Sequence, residues 1–250
     1  MISKVFSLFR RKEESYQKAQ AITVDMHSHL LPAIDDGVQS YEQSISIIKE
    51  FVELGYKKII TTPHIMGDFY RNTPEIILDR LDKLNDIIRE LQLPIEVEAA
   101  AEYFLDESFM ERLHKKEKLL CFGAKKYVLF ETSFLNPSPF ISQAVFMMQT
   151  QGYKPILAHP ERYVYLFDNL EKLFELHEKG CLLQVNMTSL VGYYSKPSKI
   201  IAEKLIDTKL VSFLGTDCHN EKHCLAVKDT FKNSYFNKAL KLDLLNNTLL

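Results

Sequence analysis

Asp25-Met26-His27-Ser28-His29-Leu30-Leu31-Pro32-Ala33-Ile34-Asp35-Asp36-Gly37 is the stretch on which the fold turns. The run before it, Ala21-Ile22-Thr23-Val24, is apolar and β-branched and reads as a short buried strand. Side chains alternate along a strand, so His27 and His29 point the same way. Two imidazoles side by side at a strand end are half of a metal site. Asp25 and the Asp35-Asp36 pair bring carboxylates close by, while Pro32 and Gly37 turn the chain back.

The same arrangement recurs outward from this point. Apolar, strand-like runs lie at 22–24, 58–61, 95–100, 127–130, 155–158, 182–185 and 211–214, with helix-like stretches between them at 41–54, 74–91, 107–114, 139–151, 169–179 and 197–208. Leu78, Leu81, Leu84, Ile87, Ile88 and Leu91 have the three-four spacing of an amphipathic helix. Pro74 and Pro197 suit first helical turns, and Gly55, Gly152 and Gly180 suit helix ends. Seven strands alternating with helices predict a parallel sheet. No nucleotide-type glycine fingerprint follows the first strand, which favours a closed or nearly closed barrel over a doubly wound sheet. The tail from Phe231 to Leu250 is weakly patterned, with room for a final helix.

Composition narrows the class. A chain of 250 residues can bury a full core. A net charge of -2 and a pI of about 6.5 leave no basic excess to attract nucleic acid. No apolar run approaches the roughly 18 residues that a membrane span needs. Cys121, Cys181, Cys218 and Cys224 form no C-x-x-C pair and suggest no disulfide framework, which points to a reducing cytoplasm. None has an arginine six positions on, so the loop of thiol-based tyrosine phosphatases is absent. Residues 1–21 read as an extension ahead of one domain at 22–250. Ile2, Val5, Phe6, Leu8 and Phe9 followed by Arg10-Arg11-Lys12 have the pattern of an amphipathic helix with a basic end, and residues 1–12 suit a peripheral membrane contact.

Candidate ligands follow the strands in order. They are His27, His29 and Asp36 after the first, His64 after the second, Glu102 after the third and Glu131 after the fourth. His159 comes after the fifth, Asn186 after the sixth, and Asp217 and His219 after the seventh. In a parallel barrel all these ends share one face, where such enzymes keep their active sites. Five of the eight histidines fall at these points; His114, His177 and His223 read as surface residues. Imidazoles and carboxylates without thiolate suit zinc, manganese or iron, and shared carboxylates favour a cluster of two or three ions.

The ordered set Asp-Met-His-Ser-His, Thr-Pro-His, Glu-Tyr, Glu-Thr-Ser-Phe, Ala-His-Pro-Glu-Arg-Tyr and Gly-Thr-Asp-Cys-His resembles the PHP (polymerase and histidinol phosphatase) superfamily. Within it, His-Ser-His-Leu-Leu-Pro-Ala-Ile-Asp-Asp-Gly and His-Pro-Glu-Arg-Tyr are similar to the bacterial metal-dependent tyrosine-protein phosphatases of capsule and exopolysaccharide loci. The resemblance implies a distorted (β/α)7 TIM-like barrel and three divalent metal ions, manganese first, with iron, zinc or magnesium as alternatives. By motif, His27, His29, Glu102 and Asp217 would hold one ion, with Glu102 bridging to a second shared with Glu131 and His159. Asp36, His64 and His219 would hold the third, with Asp35 as the alternative to Asp36. The implied reaction is hydrolysis of phosphotyrosine on a bacterial tyrosine kinase, in the cytoplasm; a small metabolite such as histidinol phosphate is the alternative substrate. Arg162, three residues past His159, is expected to clamp phosphate through its guanidinium fork, with a salt bridge to Glu161 as the alternative. Tyr70, Arg71 and Tyr163 are candidates for the substrate rim.

Overall fold

The computed structural model describes residues 22–167 and 169–250. The basic amphipathic stretch expected near the start, with its membrane contact, lies outside the described residues.

The elements run β1 (Val24–Asp25), α1 (Tyr41–Glu53), β2 (Lys58–Thr61), β3 (His64–Ile65), α2 (Pro74–Glu90), β4 (Glu96–Ala99), β5 (Glu102–Phe104), α3 (Glu107–Lys115), β6 (Tyr127–Glu131), α4 (Ile141–Thr150), β7 (Lys154–Ala158), α5 (Glu171–Glu178), β8 (Leu182–Asn186), α6 (Lys196–Asp207), β9 (Phe213–Gly215), α7 (Glu221–Thr230) and α8 (Ser234–Ala239). All seven expected strands and all six expected helices are present within a few residues. The helix 221–230 was not anticipated. The helix α2 buries Ile77, Leu81, Leu84 and Ile88, while Leu78 and Leu91 of the expected stripe are exposed.

Two of the seven strand positions are broken in the middle. Pro63 lacks an N–H and interrupts the second, leaving β2 paired with β1 and β4, and β3 paired with β5. The third breaks at Ala100-Ala101, and the pieces stay in line through Ala100 N–H to Thr61 O (2.9 Å) and Glu102 N–H to Pro63 O (3.1 Å). From β5 the sheet continues through β6, β7, β8 and β9, every pair parallel.

The ring closes between the first and last strands. Ser28 and Cys218 form a parallel bridge, His29 N–H donates to Cys218 O (2.9 Å), and Asp217 N–H donates to His27 O (2.7 Å). Below this seam the Asp25 carboxylate accepts from Thr216 N–H (2.9 Å) and Oγ1–H (2.8 Å). The result is a distorted (β/α)7 barrel.

Its interior and its outer layer are separate cores. Val24, Met26, Ile60, Leu129, Ile156 and Phe213 fill the inside, closed from beneath by Leu249. Asn246 ties this plug to the strands through Leu214 N–H, Leu214 O and Val24 O. The larger core lies between strands and helices. Strands buried on both faces explain why the sequence runs were continuously apolar rather than alternating. With one end plugged, the chemistry has only the C-terminal ends of the strands to occupy.

Candidate metal centre

The histidines and carboxylates expected at the strand ends converge there. Glu102 is at the middle and fully buried. Its Oε2 lies 3.2 Å from His27 Nε2, 3.3 Å from His29 Nε2 and 3.2 Å from His64 Nδ1, and its Oε1 lies 3.0 Å from His159 Nε2. Asp217 Oδ1 lies 3.4 Å from His27 Nε2, 3.5 Å from His29 Nε2 and 3.4 Å from His219 Nδ1. Glu131 Oε1 is 3.3 Å from His64 Nδ1. Asp36 closes the open side, its Oδ1 3.4 Å from His64 Nε2 and 3.5 Å from His219 Nε2.

Strained backbone and close approaches set these directions. His159 (φ 32°) and Asp217 (φ 50°) both adopt the left-handed conformation that non-glycine residues avoid, so each strand end turns its side chain toward the cluster. Gly37 lets its loop fold against His29: a Cβ there would lie 2.3 Å from His29 O. At Gly215 a Cβ would lie 2.8 Å from the Cβ of His27.

Partners behind the rings fix the tautomers. His27 Nδ1–H donates to Gln184 Oε1 (2.8 Å), whose amide nitrogen is itself spent on Asn186 Oδ1. His29 Nδ1–H donates to Asp35 Oδ2 (2.8 Å), and His219 Nδ1–H to Asp217 O (2.9 Å). The ε nitrogens are therefore left with lone pairs turned inward. Adjacent aspartates have divided the work: Asp35 is buried and orients His29, while Asp36 is the one on the cavity.

The donor set fits divalent cations. His64 Nδ1 and His159 Nδ1 are buried with no hydrogen-bond partner among the described residues. Among the described residues, four overlapping groups have ligand atoms close enough to share an ion: His29, Asp36, His64 and His219; His27, His29 and Asp217; His27, Glu102 and His159; and His64, Glu102 and Glu131. Without cations the charges are poorly balanced. Burial and the neighbouring Glu102 charge push the Glu131 carboxyl up to about 8. Burial drives His159 down to about 4, and the Arg162 charge adds to it. Burial works against ionisation of Glu102 too, yet the charges of His27 and His64 outweigh it and hold that carboxyl well below the usual range. Divalent cations held by these residues would supply the positive charge that this conflict lacks.

The grouping differs from the motif-based sorting in three places, the first being that His27 joins Glu102 and His159. His29 approaches the Asp36–His64–His219 group as well as the Asp217 group, and His64 approaches Glu131.

The centre lines one wall of a cavity of about 410 Å³. Arg162 reaches it from the turn after β7. Its Nη1 donates to Asp217 Oδ2 (2.9 Å), not to Glu161, and its guanidinium carbon lies over the rings of Phe134 (4.5 Å) and Tyr194 (4.2 Å). Glu161 instead turns into the fold, accepting from Asn186 N–H (3.0 Å) and Ser189 Oγ–H (2.6 Å). Tyr70 stacks on His64 and borders the cavity.

Three expectations need correcting. Tyr163 is fully buried; its hydroxyl donates to Ala158 O (2.9 Å) and accepts from Thr132 N–H (3.2 Å), so it braces the β6 and β7 ends and is no rim residue. Arg71 is exposed and away from the cavity lining, its Nε–H spent on Gly67 O (2.8 Å) in its own loop. His223 is not a surface residue: it lines the cavity and holds Asp217 O through Nδ1 (2.9 Å). It stands four residues after His219, and Asn220 caps α7 between them by accepting from the N–H groups of Lys222 and His223. Recognising that cap in the sequence would have placed His223 beside His219. Gln184, Phe134 and Tyr194 were also missed, because none belongs to a residue type that announces a ligand.

Residues 23–230 match the family described as "Capsular polysaccharide synthesis, CpsB/CapC". Tyrosine-protein phosphatase YwqE of Bacillus subtilis is 33% identical over 199 residues, spanning 80% of this chain and 78% of that protein. Tyrosine-protein phosphatase CpsB of Streptococcus pneumoniae is 27% identical over 207 residues, spanning 79% of this chain and 83% of the relative. A crystal structure from work on YwqE and CpsB as metal-dependent tyrosine phosphatases is similar to this fold with a TM-score of 0.80 at 30% identity, covering 91% of this chain and 94% of its own.

Proposed function

The chain belongs to the CpsB/CapC family of capsular polysaccharide synthesis, and from that premise we propose that it is a metal-dependent tyrosine-protein phosphatase, a phosphoric monoester hydrolase acting in capsule or exopolysaccharide synthesis. The observation that carries this reading is the convergence of five imidazoles and four carboxylates on one open cavity, with an arginine at its edge. The substrate is phosphotyrosine on a protein, and the partner is a bacterial tyrosine kinase. The centre takes three divalent ions, manganese first. No helix among the described residues is long and apolar enough to cross a membrane, and we place the protein in the cytoplasm, where its four free cysteines stay reduced.

His27, His29, Asp36, His64, Glu102, Glu131, His159, Asp217 and His219 would hold the cations. Bound there, divalent cations supply charge neutralisation for the phosphate and activation of water at neutral pH. The rest falls to the chain. Gln184 and Asp35 hold His27 and His29 in the tautomers that face the centre. Arg162 offers phosphate the guanidinium edge left over from its bond to Asp217, the two-toothed contact that a guanidinium makes with phosphate. It is no proton donor, since guanidinium keeps its charge at any working pH. The leaving phenol has a pKa near 10 and departs with little protonation.

The test is hydrolysis of a phosphotyrosine peptide and of histidinol phosphate by the manganese-loaded chain, before and after chelation. Release of phosphate from the peptide, lost on chelation and restored by manganese, is expected. Preference for histidinol phosphate, or full activity after chelation, would overturn the reading.

A further inference from the structure

Asp217 uses its two oxygens for different purposes. Oδ1 faces the imidazoles of the centre. Oδ2 faces away and accepts three hydrogen bonds, from Arg162 Nη1 (2.9 Å), Asn186 Nδ2 (2.7 Å) and Tyr194 Oη (3.1 Å). Tyr194 therefore touches both ends of the Arg162–Asp217 pair: its hydroxyl meets the carboxylate and its ring meets the guanidinium at 4.2 Å.

We propose that Tyr194 is a positioning residue for phosphate: its ring holds the Arg162 guanidinium flat at the cavity edge, and its hydroxyl braces the carboxylate to which that guanidinium is anchored. The inference rests on the reading of this cavity as a phosphomonoester site.

The three residues come from loops after three adjacent strands. Phe134 follows β6, Arg162 follows β7 and Tyr194 follows β8. The guanidinium carbon lies over both rings, 4.5 Å from the Phe134 centroid and 4.2 Å from that of Tyr194. One edge is committed to Asp217, while Nε and Nη2 make no hydrogen bond among the described residues. A phosphate fork needs two adjacent N–H groups in a fixed plane. A loop arginine free to change rotamer would have to be frozen on each binding event, and that cost is removed when the plane is set beforehand.

Tyr194 is itself well placed to set it. Asn186 Nδ2 donates to the Tyr194 hydroxyl (3.1 Å), so that hydroxyl accepts from Asn186 and donates to Asp217. The next residue, Ser195, caps α6 by accepting from Ser198 N–H (3.0 Å), which fixes the backbone on the other side. Phe134 has only packing to offer, from a partly exposed loop. The ring of Tyr194 should therefore matter more than its hydroxyl. Asp217 Oδ2 keeps two of its three donors when the hydroxyl is removed, whereas the guanidinium loses its shorter ring contact when the ring is removed.

The experiment compares Tyr194→Phe and Tyr194→Leu, each alone and with Arg162→Ala, in manganese-loaded protein. The readouts are manganese content, binding of inorganic phosphate by calorimetry, and KM and kcat on p-nitrophenyl phosphate. Tyr194→Leu should weaken phosphate binding about tenfold, the value of one cation–π contact at a partly desolvated site, and lower kcat/KM in proportion. Manganese content should not change. Tyr194→Phe should recover most of the lost phosphate affinity. In the Arg162→Ala background, Tyr194→Leu should add less than about twofold, because the group it positions is gone.

Four results would overturn the proposal: unchanged phosphate affinity in Tyr194→Leu, Tyr194→Phe as weak as Tyr194→Leu, a full additional penalty without Arg162, or metal loss that parallels the loss of activity. Failure of the phosphatase reading looks different. There the unmutated protein hydrolyses neither aryl phosphate nor phosphopeptide, while the phosphate titration still reports on Tyr194.

Discussion

Replacing Asp35 by asparagine keeps the side chain's shape and removes its charge, which isolates what that buried carboxylate does. Its Oδ2 accepts from His29 Nδ1–H (2.8 Å) and from His64 N–H (3.1 Å), and its Oδ1 accepts from Gly37 N–H (2.9 Å). The aspartate carboxyl is held below its usual range, because the charge and hydrogen bond of His29 outweigh the burial that would raise it. An asparagine can present one oxygen, so if that oxygen stays on His29 the amide N–H groups must face the Gly37 N–H. The buried Gly37 N–H then loses its acceptor, at about 1–3 kcal/mol. For a chain of this size that corresponds to a melting temperature lower by roughly 2–12 °C. The imidazole also loses its carboxylate partner, and such losses behind a metal ligand weaken metal binding about 10- to 100-fold. Manganese titration by calorimetry and thermal melts of the chelated protein read the two effects separately. Saturating manganese should restore part of the hydrolysis, since His29 itself remains. An Asp35→Asn protein with wild-type manganese affinity and an unchanged melting temperature would show that Asp35 does not hold His29, and the division of labour between Asp35 and Asp36 would be wrong.

Arg162→Ala should lower kcat/KM by about a hundredfold to a thousandfold, the value of two charge-assisted bonds of roughly 1.5–2 kcal/mol each, with manganese retained because Asn186 and Tyr194 still hold Asp217. Arg162→Lys should recover only part of this, as a point charge lacks the fork; steady-state kinetics with metal analysis decides it. Gly37→Ala should destabilise the fold by about 1–3 kcal/mol through overpacking against His29, seen as a lower melting temperature together with weaker manganese binding as Asp36 is displaced. Iodoacetamide should leave hydrolysis intact and label Cys121 before the others. Burial pushes the Cys181 thiol up to about 12 and the Cys224 thiol up to about 11, and holds Cys218 well above its usual range; rapid inactivation that phosphate prevents would refute a metal-based mechanism.

The strand rhythm was legible because barrel strands buried on both faces are written as continuous apolar runs, and seven of them stand out between amphipathic stretches. The candidate ligands were legible for a related reason. Each stands at the end of such a run, and histidine, aspartate or glutamate at that point is conspicuous against the apolar residues before it. The breaks at Pro63 and Ala100-Ala101 were not read, although proline in a strand is a local signal; they matter because they let His64 and Glu102 pair in register across separate strand pieces.

What the linear order could not supply is direction and distance between loops. Tyr163 and Arg162 are neighbours, yet one hydroxyl is consumed inside the fold and the other side chain reaches the cavity. Asp35 and Asp36 have the same chemistry and opposite surroundings. Gln184 reads as a polar interruption in an apolar strand until the closed barrel sets it 2.8 Å from His27 Nδ1. Tyr194 and Phe134 meet Arg162 only because three successive strands end side by side. Residue type and period are local properties of the chain, so the sequence by itself determined the barrel and the imidazoles and carboxylates at its strand ends. Which oxygen faces the centre, which ring covers the arginine and which aspartate stays behind are set by closure of the ring between Ser28 and Cys218, a contact between residues 190 positions apart that no local pattern encodes.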